Sequence, residues 1–171
     1  HIVRTIFLWR GTAYQRIGVQ NHGDRTARFD LTFLFDSDFA DLFEVRGERR
    51  PRRGSGLSET RGPANVELRY TGLDGNLRTT GLHFDPPPTT LAVDSARYRL
   101  KLAPQQVASL FVAISCNLPA ERTIPPFFRG LLAHRREMRE ATAGAAVIET
   151  SNDILNEVLC QSMADLNMLM T

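Results

Sequence analysis

Four carboxylates, Asp36, Asp38, Asp41 and Glu44, fall within nine residues, and five guanidinium groups follow at Arg46, Arg49, Arg50, Arg52 and Arg53. Within that basic run Glu48 is the only carboxylate. Two carboxylates facing across a sugar, roughly 5 to 10 Å apart, are what glycoside hydrolysis requires. Acids this dense meet such a spacing by accident, so the pattern is read first as structure: Asp38 and Asp41 cap a turn and pair with Arg46 or Arg50. The arginine run could hold phosphate or a nucleic-acid backbone. It lacks interleaved aromatics, and Gly54-Ser55-Gly56 lacks the Lys-Ser/Thr of a phosphate-cradling loop. A solvated loop, or one that docks on an acidic neighbouring domain, is the expectation.

The remaining reactive side chains are scattered. His22, His83 and His134 lack Cys or His partners at ligand spacing, so neither a metal nor a cofactor is expected. No nucleophile elbow, dinucleotide fingerprint or triad spacing occurs. Trp9, Tyr14 and Tyr70 stand at predicted strand ends, where a ring could stack on a sugar, but such rings more commonly complete a core. Glu137 and Glu140, interleaved with Arg135, Arg136 and Arg139, suit the solvent face of a helix.

Strands must position the acidic stretch. Phe29, Leu31, Phe33 and Phe35 alternate with Asp30, Thr32 and Asp36, the period of a half-buried strand. Phe39, Leu42 and Phe43 then fall at helical spacing behind Ser37 and Asp38, which predicts a short turn capped there. Residues 46–63 have no apolar periodicity and predict a long exposed loop. Ile2–Trp9, Tyr14–Gln20, Val66–Tyr70, Leu77–Phe84, Thr89–Val93 and Arg97–Leu102 read as further strands. Asn21-His22-Gly23-Asp24 and Asp74-Gly75 supply reversals through residues that tolerate positive φ. Val107–Ile114 is apolar throughout, which predicts a strand covered on both faces. Short strands at regular spacing predict an antiparallel β-sandwich over residues 1–117. Residues 118–171 read as a linker marked by Pro119, Pro125 and Pro126, then helices over Phe128–Thr142 and Thr150–Met170. The second helix has a capping-box-like start at Thr150 and Asp153, and an apolar stripe that includes Ile154, Val158, Leu166 and Met170.

The chain has 171 residues, 42% of them hydrophobic and 23% charged, enough to bury a core and typical of a globular protein. No apolar run is long enough to span a membrane, and a net charge of +2 gives no argument for nucleic acid. Neither a membrane nor a nucleic acid is expected as partner. His1 opens in mid-pattern, so a preceding segment is expected. Cys116 and Cys160 form no framework and are expected as free buried thiols of a cytoplasmic protein.

DFADLFEVRG (residues 38–47) with the arginine-rich loop behind it resembles the N-terminal domain of bacterial glycogen debranching enzymes of the amylo-α-1,6-glucosidase type. YQRIGVQNHGD (residues 14–24), the Tyr70–Gly75 turn with its Y-x-G-L-D-G pattern, and the closing SMADLNMLMT are similar to further segments of that family. The resemblance implies a glycoside hydrolase acting on α-1,6 branches of an α-glucan, with its acids in a downstream (α/α)6 barrel that the two helices lead into. No residue of this chain would then be catalytic. Asp38, Asp41, Glu44, Arg46 and Arg50 would lie at the substrate or domain interface, supporting the barrel's mouth. The competing reading is a stand-alone carbohydrate-binding sandwich that grips glycan with its strand-end aromatics.

Overall fold

The structure, a computed structural model, describes residues 1–117, 126–142, 144 and 148–169. Apolar alternation extends the chain, because successive strand side chains point to opposite faces. The strands are β1 Ile2–Trp9, β2 Thr12–Gln20, β3 Ala27–Leu34, β4 Ser55–Thr60, β5 Asn65–Thr71, β6 Leu77–Asp85, β7 Thr90–Leu91, β8 Ser95–Leu102 and β9 Val107–Cys116. All pair antiparallel, in a six-stranded sheet ordered β1-β2-β9-β6-β5-β4 and a three-stranded sheet ordered β3-β8-β7. The helices are α1 Leu42–Val45, α2 Phe127–Thr142 and α3 Asp153–Leu169. The fold is therefore the expected mainly β, antiparallel sandwich followed by two helices. The chain divides into two units, residues 1–127 and 128–171.

Between the sheets the large one contributes Ile17, Val19, Val66, Leu68, Phe84 and Val112, and the small one Ala96, Tyr98 and Leu102. Phe29, Leu31, Phe33 and Phe35 pack against them from β3 and just beyond it, as their alternation requires. Phe84 is the pivot, 1% exposed, with the rings of Phe33 and Phe35 at 6.1 and 5.7 Å. Burying a side chain of this size stabilises by about 1.5–3 kcal/mol. β9 has a second covered face, as its apolar run implied. There Phe111 and Phe7 both meet Phe127, at 5.3 and 5.2 Å, and Phe7 stacks on Tyr14 at 4.8 Å.

Several local expectations are corrected. Residues 46–63 are not one loop, because Ser55–Thr60 is β4, paired with β5 at the sheet edge. The acidic turn starts later than Ser37 and Asp38 suggested: Asp41 caps α1, while Phe39 sits outside it at φ +47°. At the Asn21 turn, side-chain hydrogen bonds do the work expected of positive φ. Asn21 Oδ1 accepts from Gly23 N at 3.0 Å, and its amide donates to Arg25 O at 2.8 Å and Leu102 O at 3.1 Å. Cys116 and Cys160 are free as expected, but exposed rather than buried.

In the second unit, α3 is capped by Asn152, whose Oδ1 accepts from Ile154 N at 3.0 Å and Leu155 N at 3.2 Å. Thr150 instead exchanges hydrogen bonds with the Asn156 amide. Ile154, Val158 and Leu166 of the predicted stripe are exposed. Pro119, Pro125 and Met170 lie outside the described residues. No helix among the described residues is long and apolar enough to cross a membrane.

Candidate functional site

The site grows from a single helical turn. Asp41 Oδ1 accepts from the N–H groups of Phe43 and Glu44, both at 2.9 Å, and Glu44 Oε2 accepts from Asp41 N at 3.1 Å. This reciprocal capping box aims Glu44 back along the loop. Arg50 Nη2 then donates to Glu44 Oε2, and Arg53 Nε lies 3.2 Å from Glu44 Oε1. Arg53 also donates to Asp38 O at 2.8 Å, which ties the far end of the loop to its start. Glu44 is therefore the node of the loop, with its side chain only 11% exposed. The Arg50 hydrogen bond, then the Asp41 N–H and the nearby guanidinium charges, hold its carboxyl below the usual carboxylate range against the opposing effect of burial.

Of the five residues singled out from sequence, Asp41, Glu44 and Arg50 come together. Arg50 Nε lies 3.6 Å from Asp41 Oδ2. Asp38 joins through its backbone, while its carboxylate closes a local turn on Ala40 N at 3.0 Å. Arg46 does not join. It is exposed at the C-terminal end of α1, and neither Asp38 nor Asp41 pairs with it. The turn aims Glu44 at Arg50 and Arg53, and Arg50 also pairs with Asp41, as expected for that aspartate. Nothing in the sequence sets Arg53 apart except its place before Gly54.

The opposite wall is the turn between β5 and β6. Tyr70 stacks on Phe39, ring centres 5.2 Å apart and planes within 12°, and its hydroxyl accepts from Gly54 N at 2.7 Å. Gly54 is obligatory there, because a Cβ would lie 1.9 Å from Thr71 O. Asp74 forms a two-pronged pair with Arg78, at 3.1 and 2.8 Å, and accepts from Asn76 N at 3.0 Å. A Cβ on Gly72 would meet that pair at 2.4 Å, so the pair closes over a residue without a side chain. Arg78 first, then Asn76, holds the Asp74 carboxyl far below its ordinary range. At the rear Asn117, at φ +49°, accepts from Thr79 N at 2.8 Å. Between the walls lies a cleft of about 550 Å³.

An acid catalyst needs a carboxyl that stays protonated near its working pH, which burial or a like charge must provide. Glu44 and Asp74 are shifted the other way. Among the aromatics, Tyr14 and Tyr70 are buried, and the Arg10 guanidinium lies 4.9 Å over the Trp9 ring. His83 Nδ1 is 2.8 Å from Asn65 Oδ1, and among the described residues no group of His, Cys, Asp and Glu could hold a metal ion. On α2, Glu140 pairs with Arg136 at 3.0 Å on the expected solvent face.

A family described as the N-terminal domain of (some) glycogen debranching enzymes matches residues 1–113. No curated protein matches the chain. Among solved structures, one provisionally named a kojibiose phosphorylase, from human microbiome, is similar at 14% identity and a TM-score of 0.47, over 90% of this chain. The present chain spans 19% of that protein's length.

Proposed function

This chain belongs to the family of N-terminal domains of glycogen debranching enzymes, and from that premise we propose that it is the non-catalytic β layer of a cytoplasmic α-1,6-glucosidase. In this reading residues 1–117 support the mouth of a downstream (α/α)6 barrel, residues 118–171 lead into that barrel, and the barrel cleaves branch linkages of an α-glucan. Asp38, Asp41, Glu44 and Arg50 stiffen the loop that meets the barrel, and Arg46 faces outward from it. The observation that carries the reading is the Glu44 node, one carboxylate satisfied by two guanidinium groups and a backbone N–H. Such a node fixes orientation better than it adds stability, and it cannot donate a proton to a leaving group.

Glu44→Gln in the full-length protein keeps the shape and removes the charge. Misplaced supporting groups cost rate out of proportion to the displacement. kcat/KM on a branched glucan should fall roughly tenfold, while the reaction's pH profile keeps its shape. Unchanged kcat/KM would refute the junction role. The alternative, a self-sufficient module gripping glycan by strand-end rings, finds less support because Tyr14 and Tyr70 are 3% and 7% exposed. It predicts a change in Trp9 fluorescence on adding maltooligosaccharide, whereas the supporting layer predicts none.

A further inference from the structure

We infer that the cleft between the β3–β4 connection and the β5–β6 turn is a subsite for a neutral, polyhydroxylated ligand one or two sugar rings long. The inference deepens the reading above and rests on it only for the choice of a glucan. Four observations converge on it.

The first is size: about 550 Å³ is in the range of small-molecule sites. The second is charge. Asp38, Asp41 and Asp74 line the cleft with Arg50 and Arg78, and the signs nearly cancel. A phosphate or a metal cation gains little net attraction there, whereas hydroxyl groups, which donate and accept at once, find both kinds of partner.

The third is hydrogen-bonding capacity left unused. Asn117 spends its carbonyl on Thr79 N, which leaves its amide N–H groups for a ligand. Thr80 lines the same wall. The fourth is preorganisation. Phe39, which lines the cleft, holds the left-handed backbone that a bulky residue adopts at a cost. Phe39 is locked on Tyr70, and the exposed Leu73 adds an apolar edge for the C–H face of a sugar.

The test titrates the 171-residue chain with maltotriose, following backbone amide shifts. Saturable shifts confined to residues around Thr80, Asn117 and Arg50 are expected. Thr80→Val keeps the shape and removes the hydroxyl, and Arg50→Lys keeps the charge and removes the planar fork. Each should weaken binding about fivefold or more, the cost of leaving a buried partner unpaired. Affinity should be indifferent to added sodium chloride, because the ligand is uncharged. Absence of saturable shifts, undiminished affinity in folded Thr80→Val, or displacement of maltotriose by inorganic phosphate would overturn the inference. The readout is separate from the Glu44→Gln activity assay. Failure to bind maltotriose beside an impaired Glu44→Gln enzyme removes the subsite alone, and the reverse pair of results removes the junction role alone.

Discussion

Gly54→Ala is the sharpest perturbation of the site. The added Cβ would stand 1.9 Å from Thr71 O and 2.8 Å from Thr71 C, backbone atoms of the neighbouring strand that cannot rotate away. Relief requires β4 to move off β5 at its first pair, Ser55 with Thr71, and the shift pulls Gly54 N from the Tyr70 hydroxyl. Overpacking of this kind costs about 1–3 kcal/mol, and the lost hydrogen bond adds about 1 kcal/mol. The sum, about 2–4 kcal/mol, should lower the Tm by roughly 6–12 °C for a chain of this size. Gly56→Ala, two residues on in the same strand, is the control: its Cβ would meet Arg69 O at 3.5 Å, an ordinary contact. Thermal melts followed by far-ultraviolet circular dichroism read both. Gly54→Ala melting with wild type, or Gly56→Ala falling as far, would refute the claim that close backbone approach fixes this position.

Tyr70→Phe keeps the stack on Phe39 and removes the acceptor for Gly54 N, so denaturant unfolding should show a loss of about 1–2 kcal/mol. Glu44 is easier to ionise in the folded chain, so the unfolded chain binds more protons through its titration. The stability it contributes is present above the ordinary value of 4.5 and is lost as pH falls through the lowered folded value. Melts from pH 7 downward should therefore decline less steeply for Glu44→Gln than for wild type over that window. Asn152→Ala removes the N-cap of α3 and should cost that helix about 1 kcal/mol, visible as reduced helicity on heating.

Much of the sandwich is legible because burial acts residue by residue. β3 shows its pleat in Phe29, Leu31 and Phe33, and β9 shows two covered faces in its unbroken apolar run. β4 is illegible for the same reason: SGLSET has one apolar residue, Leu57, and lies at a sheet edge where pairing rather than burial holds it. The capping signal was present in Asp41-x-x-Glu44, but Ser37 and Asp38 offered the same side-chain chemistry earlier in the chain. Asp41, Glu44 and Arg50 were recognisable because their partners are close in sequence. Asp74, Arg78 and Asn117 were not, because only the register of β5 with β6, and the place of β9 beside β6, brings them to the cleft.

Twenty residues separate the end of β3 at Leu34 from the start of β4 at Ser55. The ties from Glu44 to Arg50 and Arg53 divide that connection into shorter rings, and the entropy of closing a ring grows only with the logarithm of its length. Extra residues inserted between Gly47 and Arg49 would lengthen one ring and leave the anchors at Asp41 and Gly54 where they are. Evolution or an engineer could thus vary the reach of this connection while its roots stay fixed.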